Sequence, residues 1–126
     1  MDQHYQSCID ACNECAAACE QCAAACLREP DVQMLARCIA LDIDCSQICR
    51  LASAFMSRGS TEAAEVCRAC AEICEACGSE CDQHQHEHCK ACDVACHRCA
   101  DECRRMSSMA QGQVRTATAT GAAPRH

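Results

Sequence analysis

The chain has 126 residues, which fits one compact domain, and its net charge is −7. Nineteen residues are cysteine, whereas only Tyr5 and Phe55 are aromatic. The negative charge argues against nucleic acid and anionic membranes as partners. Because large apolar residues are few, we expect buried cysteines, which behave as small hydrophobic side chains, to fill the core.

The N-terminal residues have no pattern typical of export. Met1–His4 is followed by polar residues and spaced cysteines, without the apolar segment of a secretory signal. The sequence has no run of about 18 apolar residues, so it predicts no membrane-spanning helix. The odd cysteine count also excludes complete intramolecular disulfide pairing. These features predict the cytoplasm, where thiols stay reduced.

Four cysteine-bearing segments are predicted to be helices, and the first spans about residues 2–28 before Pro30. Its cysteines alternate at spacings of four and three, a period of about 3.5 that marks one helical stripe facing other helices. The cysteines of this stripe are Cys8, Cys12, Cys15, Cys19, Cys22 and Cys26.

The second segment spans about residues 31–57, with Pro30 suited to its first turn and Gly59 to its end. Its cysteines are fewer, and other residues are expected to complete the stripe. The predicted stripe consists of Met34, Cys38, Leu41, Cys45, Cys49, Ala52 and Met56.

The third and fourth segments span about residues 61–81 and 88–108, and a histidine-rich connection lies between them. Their stripes have the 3.5-residue period of the first and contain Cys67, Cys70, Cys74, Cys77, Cys81, Cys89, Cys92, Cys96, Cys99 and Cys103. Residues 109–126 lack an apolar period, so we expect a disordered tail. Four helices with short connections predict an all-α, up-down-up-down four-helix bundle with a cysteine-lined core over residues 1–108.

Several interpretations of the thiols compete. Structural disulfides would be strained, because Cβ atoms four residues apart on a helix are about 5–6 Å apart and a disulfide needs about 3.5–4.5 Å. A core of reduced thiols used only for packing is possible, although other apolar residues would specify it better. Redox catalysis by the Cys-x-x-Cys pairs lacks a surrounding βαβ pattern, and iron–sulfur ligands usually lie in loops punctuated by Gly or Pro.

Metal binding is the interpretation that these patterns favour. Two metal–sulfur bonds of about 2.3 Å, by analogy with zinc thiolates, span a little over 4 Å, which cysteine pairs four residues apart can reach. Soft thiolates select Cu(I), and Zn(II) competes for them. A continuous ladder of thiols favours many low-coordinate Cu(I) ions, approaching one per cysteine, because two-thiolate sites would each bury a negative charge.

Histidines and methionines are expected at the ends of the bundle. One end should gather His4, Met56 and Met106, together with Phe55. The other should gather Cys26, Met34, Cys81, His84 and His88. We expect His84 and His88 to join the metal ligands and copper to enter at their end.

The sequence resembles the bacterial four-helix-bundle copper storage proteins, in particular the cytosolic branch without an export signal. The resemblance covers about residues 8–106 and rests on the Cys-x-x-x-Cys repeats, the segment Arg37-Cys38-Ile39-Ala40-Leu41-Asp42 and the run from His88-Cys89 to Cys103-Arg104-Arg105-Met106. It implies a non-enzymatic store of Cu(I) on all nineteen cysteines, cytosolic location and a homotetramer. A copper chaperone or acceptor protein is a further expected partner. A thiol redox enzyme or buffer, or a zinc or mixed-metal detoxification protein, remains the alternative.

Overall fold

The computed structural model describes residues 3–119, with side chains over residues 5–109. This part of the chain forms four α-helices, and a short 3-10 helix (Val32–Leu35) precedes the second of them. The α-helices are α1 (Gln3–Cys26), α2 (Ala36–Ser57), α3 (Ala63–Asp82) and α4 (Glu87–Ala119).

The helices form a closed four-membered bundle. Each helix packs against the next one in the chain, and α4 packs back against α1. The connections between them are short, so consecutive helices run antiparallel. The predicted all-α, up-down-up-down bundle is therefore confirmed.

The first turn of the second segment differs from the prediction. Pro30 lies in a turn before the 3-10 helix, and α2 begins only at Ala36. A 3-10 helix has about three residues per turn, so a register counted on the α-helical period does not hold through it. The prediction for Met34 is consequently wrong: its side chain is 76% exposed, and Leu35 is buried in its place.

The end of α2 has the expected glycine geometry. Gly59 adopts a left-handed backbone conformation with φ of +67°. The amide of Ser60 donates to the Phe55 carbonyl at 3.0 Å, and the amide of Gly59 donates to Met56. These bonds satisfy carbonyl groups at the helix end, and glycine adopts this conformation without the steric cost of a Cβ atom.

Helix α4 is longer than the sequence predicts. It continues to Ala119, past residue 108, where we placed the boundary between the bundle and a disordered tail. No proline occurs between Met106 and Pro124, so no residue in this stretch lacks the amide that continues an α-helix. Residues 120–126 lie outside the described part, and disorder of the tail in solution stays a prediction.

The core of the bundle is a column of thiols. All nineteen cysteines are fully buried. Met56 and Met106, also fully buried, lie at one end, here called the methionine end, where α2 finishes. The other end, where α1 and α3 finish and α4 begins, contains His84, His86 and His88 and is here called the histidine end.

We expect the reduced, metal-free protein to be folded and helical. Its thiols already form a closed apolar core, so the bundle does not need the metal that a zinc finger requires for folding. Far-ultraviolet circular dichroism of protein treated with reductant and chelator should show a helical spectrum and a cooperative thermal transition. A coil-like spectrum under these conditions would contradict the expectation.

Candidate metal centre

Cysteine side chains of all four helices meet in the core through sulfur contacts. Cys15 of α1 contacts Cys45 of α2 and Cys96 of α4, each at 3.7 Å between Sγ atoms. Cys49 of α2 contacts Cys74 of α3 at 3.6 Å and Cys99 of α4 at 3.8 Å. Such contacts recur from the methionine end to the histidine end, so the ligand atoms form a column rather than separate clusters.

Groups of four thiols lie close enough together to hold metal ions. Within each group the Sγ atoms are all within 4.8 Å of one another. Five of these groups are Cys12/Cys70/Cys99/Cys103, Cys15/Cys49/Cys74/Cys99, Cys15/Cys19/Cys45/Cys96, Cys19/Cys77/Cys92/Cys96 and Cys22/Cys26/Cys38/Cys89. Four cysteines, namely Cys15, Cys19, Cys96 and Cys99, belong to two of these groups, so neighbouring groups share thiols.

The structure contradicts the disulfide interpretation. All nineteen cysteines are free thiols. The pairs four residues apart within a helix have Sγ separations such as 3.8 Å for Cys22/Cys26 and 3.7 Å for Cys70/Cys74, whereas a disulfide bond is about 2.05 Å long. These separations are close to those that one ion bound to both sulfurs would require, and metal binding by the pairs stays a prediction.

Asp42 interrupts the column with a carboxyl group. Its side chain is fully buried. Its Oδ1 atom accepts hydrogen bonds from the thiols of Cys77 at 3.2 Å, Cys92 at 3.3 Å and Cys81 at 3.7 Å. Its Oδ2 atom accepts one from Cys38 at 3.9 Å. Asp42 therefore lies beside the outermost thiol group at the histidine end and contacts thiols of α2, α3 and α4.

Asp42 is absent from the predicted stripe, in which Leu41 takes its place. Leu41 is only partly buried and packs at the edge of the core. Spacings that alternate strictly between four and three residues lead from Cys38 to Asp42 and then to Cys45. The cysteine spacing itself therefore indicates that Asp42 lies on the buried stripe. An apolar residue is the usual occupant of a core position, but the helical period places Asp42 there.

Burial makes the Asp42 carboxyl group neutral at ordinary pH. Desolvation, together with the charges that Cys92 and Cys77 would acquire on ionisation, raises its pKa to about 10. The protonated carboxyl group carries no charge, which suits a core without a nearby cation. In the metal-free column the group acts as a hydrogen-bond acceptor for thiols.

The thiols of Cys26 and Cys89 at the histidine end are protonated for a similar reason. Burial raises the pKa of Cys26, and it raises the pKa of Cys89 to about 11. A metal ion that binds these sulfurs must displace their protons, since the thiolate is the ligand. Binding is therefore expected to release protons and to weaken in acid.

His88 is placed against the outermost thiols, as predicted. Its Nδ1 atom lies 3.5 Å from Cys22 Sγ, 3.6 Å from Cys89 Sγ and 3.8 Å from Cys26 Sγ. Its Nε2 atom is hydrogen-bonded to Glu29 Oε2 at 2.9 Å. One imidazole nitrogen thus faces the thiol column, and the other faces a carboxylate.

The contacts of the His84 ring differ from those of His88. Its Nε2 atom bonds to Glu80 Oε2 at 2.9 Å, and Arg37 forms an ion pair with the other oxygen of Glu80 at 3.3 Å. The structure brings His84 to the same end as His88 but gives its ring a carboxylate partner rather than a thiol among the described contacts. Its role as a ligand stays a prediction.

His86 and Glu29 were missed by the sequence analysis. The rings of His86 and His88 are stacked with centroids 5.2 Å apart. His86 Nδ1 contacts Glu29 Oε2 at 3.2 Å, and its Nε2 contacts Asp31. This hydrogen bond lowers the pKa of the Asp31 carboxyl. The His-x-His spacing pointed to His86, whereas Glu29 was hidden in a connection that only the fold brings to the histidines.

The methionine end is closed by larger apolar groups. Met56 and Met106 are fully buried, Phe55 packs against the core, and the Arg58 guanidinium lies over the Phe55 ring at 5.0 Å from its centroid. The side chain of His4, predicted at this end, lies outside the described residues. The contrast with the polar histidine end agrees with the predicted difference between the two ends.

Together, the fold and the column define an all-α protein whose interior is a store of soft metal ligands. Residues 1–108 match the family described as copper storage protein, and this chain belongs to that family. In the part of the chain described here, none of the helices combines the length and apolarity needed to span a membrane.

Solved structures of the family have the same fold. The Cu(I)-bound copper storage protein BsCsp3 is 47% identical, with a TM-score of 0.80 over 83% of this chain and 99% of that chain. A cytosolic copper storage protein from Streptomyces lividans, solved with five coppers, is 40% identical, with a TM-score of 0.82 over 84% and 93%. The uncharacterized cysteine-rich protein YhjQ of Bacillus subtilis is 46% identical over 88 residues, 70% of this chain and 82% of the relative.

We expect the D42N variant to separate the pH dependence of Asp42 from that of the thiols. The folded-state pKa of about 10 exceeds the unfolded value of about 4, so the wild-type carboxyl favours folding below pH 4 and progressively loses that contribution as pH rises toward 10. The asparagine amide of the variant stays neutral, so D42N should gain stability relative to wild type by up to about 1.4 kcal/mol per pH unit in this range. Urea unfolding of reduced, metal-free protein between pH 5 and pH 8 measures the difference.

The matched control is D44N, which removes the same group from an exposed position on the same helix. Its stability should follow that of wild type across the pH range. A D42N curve parallel to the wild-type curve would show that the buried carboxyl does not stay protonated in the folded state.

Proposed function

We propose that this protein stores several Cu(I) ions on cysteine thiolates inside its four-helix bundle. The observation that carries the proposal is the column of buried thiols, in which sulfur atoms of all four helices are in contact. Soft thiolates prefer Cu(I) to hard cations. Membership of the copper storage family and the Cu(I)-bound relative support the same conclusion.

The sharing of thiols between groups favours Cu(I) over Zn(II). Structural zinc usually takes four thiolates in a closed tetrahedral site. Cys15 and Cys99 each belong to two of the thiol groups, so two adjacent groups can both hold zinc only if these thiolates bridge two ions. An ion that accepts two or three bridging thiolates can occupy every level of the column.

The sulfur separations support bridging thiolates. With metal–sulfur bonds of about 2.3 Å, a linear S–M–S unit spans roughly 4.6 Å, whereas two sulfurs of a trigonal site are roughly 4.0 Å apart. The observed contacts, such as 3.6 Å for Cys38/Cys81 and 4.0 Å for Cys15/Cys19, lie closer to the trigonal value. Trigonal sites in a column must share their thiolates, which brings the ratio toward one ion per cysteine.

The charge balance of the core also favours about one Cu(I) ion per cysteine. A Cu(I) held by two unshared thiolates has a net charge of −1, and a stack of such units would bury many like charges. When one Cu(I) replaces one thiol proton, the core stays near neutral. We propose all nineteen cysteines as ligands on this basis.

We expect a capacity close to nineteen Cu(I) ions per chain, with release of about one proton per ion. Anaerobic titration against a chromogenic Cu(I) chelator measures the capacity, and a parallel titration in weak buffer measures the protons. Sharp saturation near nine or ten equivalents would show that isolated two-thiolate sites dominate.

We propose that copper enters at the histidine end. His88 Nδ1 lies within 4 Å of three thiols there and is 21% exposed, so it connects solvent to the column. The methionine end is filled by Met56 and Met106. His84 is proposed as a second, outer ligand at the same end.

We expect the H84A/H88A variant to load Cu(I) more slowly than wild type and to keep nearly the same capacity, because the thiol column remains intact. Stopped-flow transfer of Cu(I) from a chelator measures the rate. The H97A variant, which removes an exposed histidine from the outer side of α4, is the control and should load like wild type. An unchanged rate in H84A/H88A would indicate entry at the methionine end.

We further propose that the protein stores copper without catalysing a reaction. All nineteen thiols are fully buried, whereas a thiol enzyme needs a reactive thiolate accessible to its substrate. The expected setting is the cytosol, in agreement with the cytosolic relative from Streptomyces lividans. Copper chaperones or acceptor proteins are the proposed partners.

A homotetramer is the proposed assembly. Helix α1 has alanines beside its cysteine stripe, and Ala17, Ala18 and Ala23 are partly exposed. Such small side chains allow a helix of another subunit to approach closely. Exposed Ile43 and Leu51 on α2 add apolar surface that an oligomer could cover.

A further inference from the structure

The imidazole of His88 is useful to a soft ion in only one of its two neutral forms. A neutral imidazole has one N–H group and one nitrogen with a free lone pair. The thiols of Cys22, Cys26 and Cys89 surround Nδ1, so a Cu(I) ion shared with them must bind at Nδ1. The ring must then carry its proton on Nε2.

Glu29 lies where it selects this form. Its Oε2 atom is 2.9 Å from His88 Nε2 and accepts the hydrogen bond that an Nε2–H group donates. The backbone of Glu29 is anchored by its amide, which donates to the Cys26 carbonyl at 3.2 Å in the turn after α1. Its side chain is only 26% exposed, so the contact is partly shielded from water.

His86 restrains the same pair from the side. Its ring is parallel to that of His88, with an angle of 5° between the planes. It contacts the same Glu29 oxygen at 3.2 Å through Nδ1 and Asp31 at 3.3 Å through Nε2. The carboxylate thus has two imidazole partners, and the His88 ring is held in both orientation and tilt.

We propose that Glu29 is a positioning residue for copper uptake: it holds the proton of His88 on Nε2 and aims the Nδ1 lone pair at the outermost thiols. The inference rests on the proposed role of His88 as a ligand at the histidine end. A carboxylate on the second nitrogen is one of the usual ways in which proteins orient metal-binding histidines, and loss of such a partner commonly costs about 10- to 100-fold in affinity or activity.

The experiment compares E29A and E29Q in the full-length, reduced protein. The glutamine in E29Q retains a side-chain oxygen that accepts the Nε2–H bond, whereas the alanine in E29A has no such acceptor. E29A should slow Cu(I) transfer from a chelator by on the order of tenfold, and E29Q should restore most of the rate. E87A removes an exposed carboxylate at the same end and should load like wild type.

A double-mutant cycle shows whether Glu29 acts through His88. If it does, E29A/H88A should load no more slowly than H88A, because the second substitution removes a partner that is already absent. Additive losses would overturn the inference and would indicate a separate effect of Glu29 on copper. A normal rate in H88A would instead overturn the proposed role of His88.

The ¹⁵N chemical shifts of the His88 ring provide a readout that does not depend on copper. Metal-free wild type and E29Q should show the form protonated at Nε2, and E29A should show a mixture of the two neutral forms. A wild-type ring protonated at Nδ1, or E29A spectra identical to those of wild type, would contradict the proposal. Equal slowing in E29A and E29Q would overturn it as well, because charge rather than the hydrogen bond would then matter.

Discussion

Contact between sulfur atoms is the interaction on which the rest of this structure depends. Cysteine is small, so four helices whose inner faces carry little else must approach closely before their side chains touch. At that approach the sulfurs are 3.6–4.0 Å apart, as in Cys45/Cys74 and Cys15/Cys19. The same contacts fill the core and place the ligands within reach of shared ions. Packing and the proposed metal binding therefore use one set of side chains.

The two ends of the column have different chemistry because different residues close them. Met56 and Met106 fill the methionine end with large apolar side chains. At the histidine end, the connections after α1 and α3 bring imidazoles and carboxylates over the outermost thiols, with His88 bonded to Glu29 and His84 to Glu80. A cation approaching the protein meets neutral and negative ligands at one end and an apolar plug at the other. The direction of copper uptake proposed above follows from this asymmetry.

Two carboxyl groups, those of Asp42 and Glu29, lie in or beside the thiol column. Asp42 is buried within the column, where burial raises its pKa and its oxygens accept bonds from thiols of three helices. A protonated carboxyl is compatible with a neutral core, whereas an ionised one would need a nearby cation. Glu29 lies at the edge of the same column, partly exposed, where it contacts His86 and His88. The same functional group thus serves as a neutral acceptor inside and as a partner of histidine at the surface.

The sequence by itself determined the helices, the bundle and the thiol column, because a 3.5-residue period over three segments leaves the cysteines only one face on which to lie. The sequence also indicates that Asp42 lies on the buried stripe, since spacings that alternate between four and three residues lead from Cys38 to Asp42 and then to Cys45. Only the tertiary structure decided the exposure of Met34, because a 3-10 turn shifts the register before α2 begins. Only the fold could pair Glu29 with His88, because their contact joins residues 59 positions apart through antiparallel packing of α1 and α4. Local periodicity specifies which face of a helix is buried, whereas contacts between connections depend on how the helices are assembled.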